Sequence, residues 1–436
     1  MATVNVSFPG GIYPSGYTPA IPGYEDFNPS FSELVNFDTA VLLSRTSTAI
    51  TLRLDNGLRV KINGTGFTFG SDGYATGGTI SRFDLTMSNG TTVIQSIATS
   101  LSLQSFEDAV DGLDQWGLGS WLLRGNDTLN GSLGSDDLYG HGGNDTMNGG
   151  GGDDFIVGGA GRDTYNGGAG LDQISFSDAY NESSAYRGIL LDAQTRTVID
   201  PWGNSETFTS VESFRGSHFA DVIRGSAADE EFMGLGGRDT LDGRGGFDTV
   251  RYHRDINQGG DHGVNVNLTT GVATDGFGRR DTLISIEGAR GTGFGDTLTG
   301  SAVANALRGE GGNDTLNGLA GNDFLRGDGG RDTFVFNTAL NASTNVDEIF
   351  DFSVVDDTIR LDNAIFTALT GVGVLTAAQF TKNAAGTALD ASDRIIYEID
   401  TGDLYYDANG SAAGGRVQFA RLDDGLNLTA ADFFIV

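Results

Sequence analysis

The sequence contains no cysteine and has little proline, histidine or basic charge. Its 436 residues include 0 Cys, 6 Pro and 4 His. Without Cys, disulfides, thiolate metal sites and Cys nucleophiles are excluded. The 26 Lys and Arg residues face 58 Asp and Glu, a formal net charge of -32. This balance argues against nucleic acid as a partner, because a phosphate backbone needs a basic surface. The acidic excess indicates cations as partners instead.

Long hydrophobic runs are also missing. No apolar run approaches the roughly 18 residues that indicate a membrane-spanning helix, so no transmembrane segment is predicted. The first thirty residues have neither a basic region nor an apolar run of signal-peptide length, so export by a signal peptide is not indicated. Hydrophobic residues still make up 38% of the chain and aromatics 10%, which argues against a disordered acidic tail.

Glycine, in contrast, is abundant, with 68 residues, and it recurs within a repeat of nine residues. Segments such as GHGGNDTMN and GGAGRDTYN follow the pattern GGxGxDxUx, where U is a large apolar residue. Fifteen repeats in three blocks share this phase, and position six is Asp in thirteen of them. Position eight is apolar in all fifteen: Leu129, Leu138, Met147, Ile156, Tyr165, Ile174, Ile223, Phe232, Leu241, Val250, Leu298, Leu307, Leu316, Leu325 and Phe334.

Each position of the nonapeptide has a physical role. Three residues around U form a short strand, and six Gly-rich residues turn the chain, because Gly takes positive φ without strain. Two repeats then form one coil, with two parallel sheets facing each other across a core of U side chains. Coils stacked at about 4.8 Å bring together the Asp side chains of repeats n and n+2, which repel unless a cation lies between them. Calcium accepts six or more oxygens, including carbonyls, and therefore suits a flexible Gly turn better than magnesium.

The repeats resemble those of RTX (repeat-in-toxin) proteins, which Gram-negative bacteria export and whose nonapeptides form a calcium-bound parallel β-roll. The resemblance covers residues 122–175, 216–251 and 291–336. It implies that positions two, four and six of one repeat and one, three and six of the repeat two further on hold each ion, mostly through carbonyl oxygens. About seven to nine Ca²⁺ ions follow. The alternative, Asx turns without metal, does not explain an Asp at every ninth residue.

The resemblance assigns ligands residue by residue. The first two sites are Leu123, Gly125, Asp127, Gly140, Gly142 and Asp145, and Ser132, Gly134, Asp136, Gly149, Gly151 and Asp154. The remaining ligands of the first block are Gly143, Gly152, Gly158, Ala160, Asp163, Gly167, Ala169 and Asp172. Those of the second block are Asp221, Gly234, Gly236, Asp239, Gly243, Gly245 and Asp248. Those of the third are Asp296, Gly309, Gly311, Gly312, Asp314, Gly318, Ala320, Asp323, Gly327, Gly329 and Asp332.

Two repeats depart from the pattern at positions four and six. They carry Ala228 with Glu230 and Val303 with Asn305, so the pairs with Asp248 and Asp323 are open as calcium sites. The acidic residues after the last block lie in a segment that resembles the region following the repeats of serralysin-type proteins. We interpret them as solvated turn residues rather than ligands: Asp347, Asp351, Asp356 and Asp357.

The blocks belong to a longer internal repeat, since the sequence from Asp172 matches that from Asp248, 76 residues further on. Between the blocks, GILLDA and GVNVNLTTGV predict strands and a hairpin. We expect broader coils there that continue the roll without calcium. Phe219 and Phe294 replace the position-four Gly at matching places, and we expect them to fill core space.

The predicted fold class is all-β: a parallel β-roll or β-solenoid of RTX repeats in three blocks, between an N-terminal antiparallel β domain and a C-terminal β-rich domain with a short helix. Hairpins are predicted in the N-terminal region around DNG and SNG turns, and short helices at SFSELVNF and SFEDAVDGL. A helical stretch is predicted near Leu361 to Lys382, followed by the strands RIIYEIDTGDLYYD and VQFARL. The final AADFFIV resembles the C-terminal signal of type I secretion substrates; a terminal core strand would look similar.

The predicted segments are 1–121, the N-terminal β domain; 122–175, the first block; 176–251, solenoid coils with the second block; 252–336, solenoid coils with the third block; and 337–436, a C-terminal cap with a type I secretion signal.

Catalytic motifs of secreted RTX enzymes are missing. None of the histidines forms HExxH and no Ser lies in GxSxG, which excludes a serralysin-like zinc protease and argues against an RTX lipase. His141 and His218 fall in predicted calcium turns, where solvent exposure is expected. His253 and His262 flank the INQGGD loop and are weak ligand candidates. No catalytic site and no organic cofactor are predicted.

The function predicted is a secreted, non-enzymatic calcium-binding protein at the surface or in the matrix of a Gram-negative bacterium, acting by adhesion or self-assembly. It would fold on calcium outside the cell. Its predicted partners are calcium, the type I secretion machinery, and either its own copies or an extracellular polysaccharide. Two alternatives stay open: a polysaccharide-active enzyme, and a glycan-binding module that uses residues 1–121.

Overall fold

The structure is a computed structural model that describes residues 3–6, 40–54, 58–71, 74–86, 93–112, 121–181 and 184–436. Contacts divide the chain into two compact units, Met1–Ser217 and His218–Val436. Both consist mainly of strands, and the described residues contain one α-helix, α1 (Leu103–Gly112), besides short 3-10 turns. The predicted all-β class is confirmed. The division into five segments stays a prediction.

The first unit begins with an antiparallel sheet. Its strands are β1 (Thr3–Val6), β2 (Val41–Arg45), β3 (Ala49–Arg53), β4 (Arg59–Phe69), β5 (Ala75–Thr86) and β6 (Val93–Ser102). Neighbours pair in the order β2, β3, β4, β5, β6, β1, which confirms the predicted hairpin strands. Helix α1 confirms the helix predicted at SFEDAVDGL, and its Phe106 packs on Phe83 with ring centroids 4.9 Å apart. The predicted DNG and SNG turns and the helix at SFSELVNF lie outside the described residues.

Strand β1 joins this antiparallel sheet to a parallel one. Its other edge pairs in parallel with the first strand of the roll, so Val4 lies opposite Leu129. The roll of the first unit consists of β7 (Thr128–Asn130), β8 (Asp137–Tyr139), β9 (Thr146–Gly151), β10 (Phe155–Val157), β11 (Thr164–Ala169) and β12 (Gln173–Ser175). Strands two apart in sequence pair in parallel, as in Leu129 opposite Met147 and Leu138 opposite Ile156. The predicted coil of two nonapeptides and eighteen residues is therefore confirmed.

The segment after the first block continues both sheets without nonapeptides. A 3-10 turn (Ser177–Asn181) precedes β13 (Leu190–Asp192), β14 (Thr197–Ile199), β15 (Ser205–Thr209) and β16 (Ser213–Arg215). β15 pairs in parallel with β11 and β16 with β12. β13 and β14 form an antiparallel hairpin beside β15. These are the broader coils that the sequence predicts.

The second unit contains the other two blocks, joined by one further coil with an antiparallel hairpin. Its roll strands are β17 (Val222–Arg224), β18 (Glu231–Met233), β19 (Thr240–Asp242), β20 (Thr249–Arg251), β21 (Asn265–Asn267), β22 (Val272–Thr274), β23 (Arg280–Ile284), β24 (Gly288–Arg290), β25 (Thr297–Ser301), β26 (Ala306–Arg308), β27 (Gly311–Gly312), β28 (Thr315–Leu319), β29 (Phe324–Arg326), β30 (Gly329–Gly330) and β31 (Thr333–Phe336), with a 3-10 turn at Asp255–Gln258. One sheet runs β17, β19, β23, β22, β21, β25, β28, β31, and the other β18, β20, β24, β26, β29. The predicted hairpin at GVNVNLTTGV is β21 with β22.

The core of the roll is the line of position-eight side chains. All fifteen are at most 2% exposed, as predicted. Phe219 and Phe294 are only half-buried, so the prediction that they fill core space is wrong. They replace Gly on the turn, whose side chains do not point between the two sheets.

The chain ends in β32 (Asp347–Ile349), β33 (Thr358–Leu361), β34 (Gly373–Val374), β35 (Phe380–Asn383), β36 (Ile395–Glu398), β37 (Asp403–Asp407), β38 (Arg416–Arg421) and β39 (Phe433–Ile435), with 3-10 turns at Ala377–Gln379 and Ala430–Asp432. β32 and β33 continue the two sheets of the roll. The helix predicted near Leu361 to Lys382 is wrong, because Gly371 and Gly373 take positive φ and interrupt it. The predicted strand pair is β36 with β37, and the final segment is a core strand paired with β33.

Candidate metal site

The position-six side chains form a ladder along each edge of the roll. Because coils within a block are in register over eighteen residues, nine of the position-six backbone N–H groups donate a hydrogen bond to the Oδ1 of the Asp one coil later. The N–H of Asp127 donates to Asp145 at 2.7 Å, that of Asp145 to Asp163 at 2.8 Å, and that of Asp314 to Asp332 at 2.9 Å. The same bond occurs from Asp136, Asp154, Asp221, Glu230, Asp296 and Asn305. The predicted pairs are therefore brought together.

The second carboxylate oxygen of most ladder residues has no hydrogen-bond partner. All fifteen position-six residues are at most 4% exposed. The Oδ2 atom is buried without any donor in Asp145, Asp154, Asp163, Asp172, Asp239, Asp248, Asp314, Asp323 and Asp332. A buried carboxylate oxygen without a donor or cation is costly. The arrangement therefore requires either protons or metal ions.

Glycines at the turn leave the space for these carboxylates. A Cβ on Gly140 would lie 2.5 Å from the Oδ2 of Asp145 and 2.6 Å from the carbonyl oxygen of Gly158, so a side chain at position one would displace both. The position-four glycines Gly143 and Gly152 take positive φ, which glycine adopts without strain. Carboxylate and carbonyl oxygens thus lie close together at each turn.

The turns of successive coils are also joined directly. The N–H of Gly143 donates to the carbonyl of Ala160 at 2.9 Å, and that of Gly152 to the carbonyl of Ala169 at 2.8 Å. Position four of one repeat therefore lies beside position three of the repeat two further on, as the predicted ligand pattern needs. A carbonyl oxygen has two lone pairs, so one hydrogen bond leaves it able to bind a cation. That each predicted carbonyl coordinates calcium stays a prediction.

Electrostatics also favour a cation. Burial, followed by the negative charge of aspartates one coil away, raises the pKa of Asp145 and Asp154 to about 8. Burial also raises the pKa of Asp163 and Asp314 to about 7, with the charges of Asp200 and Asp178 adding to it at Asp163 and those of Asp296 and Asp332 at Asp314. A divalent cation between such carboxylates stabilises their ionised forms and removes their repulsion.

Calcium fits these donors. It binds six to eight oxygens from carboxylates, carbonyls and water, and the turns supply the first two kinds. Within the described part of the chain, no three His, Asp or Glu side chains are placed to hold an ion by themselves. A bound ion would therefore be held by a pair of ladder carboxylates together with turn carbonyls.

Three repeats in the first coils of the blocks have Ser or Thr at position two, with a backbone N–H that donates to the position-six carboxylate. The N–H of Ser226 donates to Glu230 at 3.0 Å, and the N–H of Thr292 donates to the Oδ2 of Asp296 at 2.6 Å. The N–H of Ser132 bonds Asp136 in the same way. In these coils a backbone N–H therefore donates to the carboxylate oxygen that has no donor in most other coils.

The two irregular pairs are built differently from the rest. Asn305 accepts a hydrogen bond from the N–H of Ser301 at 2.6 Å, and its amide donates to the carbonyl of Glu287 at 2.9 Å. A neutral amide thus makes a hydrogen bond where other coils place two carboxylates. The side chain of Glu230 accepts a hydrogen bond from the N–H of Ser226. The N–H of Glu230 still donates to the Oδ1 of Asp248, as in the rest of the ladder.

Two of the four acidic residues after the third block are ladder members, which corrects the interpretation of all four as solvated turn residues. Asp347 and Asp357 are 3% and 8% exposed and accept hydrogen bonds from the N–H groups of Asp323 and Asp332 at 3.3 and 2.9 Å. They continue the sheets because β32 and β33 stack on the last coil. The half-buried Asp351 accepts from two turn N–H groups, whereas Asp356 is exposed as predicted.

The inter-block coils also carry ladder carboxylates that the sequence analysis missed. Glu206 lies one coil beyond Asp163, and Asp281 lies one coil beyond Asp239. Glu212 and Glu287 accept from the N–H groups of Asp172 and Asp248, at 3.2 and 3.0 Å. A signal existed: an acidic residue, Thr and an apolar residue recur in ETF and DTL at positions 206–208 and 281–283. The Gly-rich part of the nonapeptide is absent before these residues, so the nine-residue pattern does not identify them.

The four histidines do not belong to the ladder. His141 and His218 are half-buried rather than solvent-exposed as predicted, and burial lowers the pKa of His141 to about 4. His253 lies 3.5 Å from the guanidinium of Arg251, a poor environment for a metal ligand. His262 is exposed.

The fold and the ladder define a parallel β-roll whose turns are built for cations. The family described as RTX calcium-binding nonapeptide repeat (4 copies) matches this chain at residues 123–156, 139–174, 215–250, 290–325 and 299–334. These segments carry RTX calcium-binding repeats, so the predicted repeats and their calcium-binding character are confirmed at this level.

Other comparisons add little. The crystal structure of the extracellular lipase LipA from Serratia marcescens matches 71% of this chain with 17% sequence identity and a TM-score of 0.18. This chain spans 40% of the length of the lipase, and the likeness is too low to extend the lipase's activity to it. No curated protein matches the chain. No helix of the described residues is long and apolar enough to span a membrane.

Proposed function

We propose that this protein is a secreted, non-enzymatic calcium-binding protein that folds on calcium outside the cell and acts at the cell surface or in the matrix. The observation that carries the proposal is the row of buried Oδ2 atoms without donors, as in Asp145 and Asp314. RTX repeats are typical of proteins that Gram-negative bacteria secrete. About seven to nine ions would bind between the carboxylate pairs.

Calcium would act as a switch for folding. In a cytosol with little calcium, repulsion and burial of the ladder carboxylates oppose the roll, and an extended chain suits export through a type I system. Outside, calcium binds the folded state alone and stabilises it by about 2.7 kcal/mol for each site at a concentration 100 times its Kd. The role of the C-terminal segment as the secretion signal is part of this proposal.

Circular dichroism tests the switch. We expect β structure to appear as calcium is added to the chelated protein and to disappear again with excess chelator. An identical spectrum with and without calcium would contradict calcium-gated folding. Ion counting by mass spectrometry on the same samples gives the stoichiometry.

A specific observation favours self-assembly over adhesion. Strand β2 exposes three neighbouring apolar side chains, Val41, Leu42 and Leu43, at 46%, 50% and 43%. Within the described residues it pairs with β3 alone, and a strand edge without a partner offers backbone groups to a further strand. A second copy of the chain is the partner that we propose for this edge.

Light scattering and electron microscopy, with and without calcium, test assembly. We expect calcium-dependent oligomers or filaments that Leu42→Lys weakens, because a charge on an edge strand opposes pairing. Leu133→Lys is the matched control, since Leu133 is 91% exposed but lies on a roll turn. Monomers under all conditions would overturn self-assembly while leaving calcium binding intact.

A further inference from the structure

The first block ends on a carboxylate pair that lies partly outside the nonapeptides. Strand β11 pairs with β15, with Thr164 opposite Thr207, so Asp163 and Glu206 occupy successive ladder positions. They are 2% and 1% exposed. Glu206 falls outside every segment that matches the RTX family. The pair is therefore not one of the sites that the repeats themselves define.

A tyrosine hydroxyl completes this cluster. Tyr165, itself 1% exposed, donates to the Oε2 of Glu206 at 3.0 Å. A Cβ on Gly158 would overlap both this hydroxyl and the Oδ2 of Asp163, so these oxygens lie side by side. The Oδ2 of Asp163 and the Oε1 of Glu206 have no donor. The strongest charges acting on Glu206 are those of Asp163 and Asp200, which are both negative.

The second block ends on the same arrangement. Asp239 donates its N–H to the Oδ1 of Asp281 at 3.1 Å, and the hydroxyl of Tyr252 donates to the Oδ2 of Asp281 at 3.2 Å. Asp275 lies 75 residues after Asp200 in the sequence, as Asp281 does after Glu206. The Oδ2 atoms of Asp239 and Asp275 are buried without a donor, and Asp275 is 0% exposed.

The two hydroxyls come from different positions of the internal repeat. Tyr165 corresponds to Leu241, 76 residues further on, and Tyr252 corresponds to Phe176 at the same offset. Tyr165 and Phe176 are core neighbours, with ring centroids 6.4 Å apart. The tyrosine has therefore exchanged places with an apolar residue, yet its hydroxyl reaches the same carboxylate. Packing alone does not require a hydroxyl at this point in both units.

We propose that Asp163 with Glu206, and Asp239 with Asp281, each hold one further calcium ion, with the adjacent tyrosine hydroxyl beside it. Calcium is the ion that suits carboxylates, a hydroxyl and turn carbonyls together. These two sites would end the first and second blocks by binding the inter-block coils to the repeats. The inference rests on the proposed calcium binding of the repeats.

Ion counting tests the carboxylates. Glu206→Gln and Asp281→Asn should each bind about one ion fewer per chain than the wild type, and the double variant about two fewer. Glu231→Gln is the matched control, because Glu231 pairs with Arg251 outside the ladder and its loss should leave the count unchanged. Equal counts in all folded variants would overturn the inference. A wild type that binds no calcium would instead overturn the proposed function.

Terbium luminescence is a second readout that does not depend on carboxylate variants folding. Terbium replaces calcium at oxygen sites and emits when a nearby excited tyrosine transfers energy to it. Tyr165→Phe and Tyr252→Phe should each lower tyrosine-sensitised emission, and the double variant should lower it more than either single variant. Tyr186→Phe, at a position 67% exposed, should not. Undiminished emission from the double variant would place the ions away from the tyrosines and overturn the inference.

Discussion

Two regions of the second unit bury acidic side chains in opposite ways. In the final strands β36 to β39, each buried carboxylate has a local donor: Asp403 accepts from Arg421 at 2.6 Å, and Asp432 accepts from Thr429 at 2.5 Å. In the roll, Asp314 and Asp332 each leave an Oδ2 without a donor. Burial of an acid is therefore not itself a sign of a metal site. A missing donor at a repeated position is the sign.

The largest expected difference between the two regions is in hydrogen exchange. Chelation should lower the protection of β25 to β31 by about 100-fold or more for each ion lost, because their carboxylates depend on calcium. The strands β36 to β38 should lose far less, since their acids have protein donors. Exchange measured by mass spectrometry, with calcium and with chelator, checks this. Equal losses would mean that the two regions unfold as one cooperative unit.

The cost of replacing a buried carboxylate should depend on calcium in the roll but not in the final strands. Asp314→Asn should cost about 2.7 kcal/mol or more in saturating calcium, since at least one site is lost. In chelator it should be neutral or stabilising, because it removes a buried charge; Asn305 already occupies the ladder in this form. Asp432→Asn, the control, should cost about 1–3 kcal/mol for its charged hydrogen bonds in both conditions.

Denaturant unfolding with and without calcium measures these costs. If Asp314→Asn were equally destabilising in chelator, the ladder carboxylate would have a structural role that does not involve calcium.

Glycine substitutions separate the stacking of turns from simple backbone strain. Gly330 and Gly425 both have positive φ. A Cβ on Gly330 would overlap the carbonyl oxygen of Gly312, whereas one on Gly425 would meet nothing within 4 Å. Gly425→Ala should cost about 1–2 kcal/mol through its left-handed backbone alone, and Gly330→Ala should cost more because the coils must separate.

Gly329→Ala is the control beside it, since a Cβ there is also in open space, and its effect should stay within about 0.5 kcal/mol. Thermal or denaturant unfolding in calcium orders the three variants. Equal costs for Gly330→Ala and Gly329→Ala would argue against close stacking of the turns.

The smallest effect expected is on pH dependence, and its sign depends on calcium. Burial raises the pKa of Asp314 to about 7 and of Asp332 to about 6, above an unfolded value of about 3.9. Without calcium, the folded roll binds more protons than the unfolded chain between these values. Its stability should therefore be greatest below about pH 4 and fall as pH rises through about 7.

With calcium the direction should reverse, because protons compete with the ion for the carboxylates. Thermal melts followed by circular dichroism at several pH values, in calcium and in chelator, check both signs. The same slope in both solutions would contradict a ladder whose carboxylates bind calcium.

Several elements follow from the sequence alone because they are periodic. A nine-residue period with Asp at position six and an apolar residue at position eight predicts the coil, the two parallel sheets and the core line, and all fifteen core residues are buried. Alternating apolar residues predict the N-terminal hairpin strands in the same way. Where glycines interrupt an apolar run, as at Gly371 and Gly373, propensity predicts a helix that the backbone does not form.

The nine-residue period alone therefore predicts the repeat, the register of its aspartates and the kind of ion that suits them. The stacking of the coils selects the acids that join the ladder, because pairing between coils whose loops differ in length brings in Glu206, Asp281, Asp347 and Asp357. It also decided that Ser or Thr satisfies the carboxylate in the first coils, and that Tyr165 reaches Glu206 across 41 residues. Local spacing fixes contacts within a period, whereas contacts between unlike coils depend on how the sheets stack.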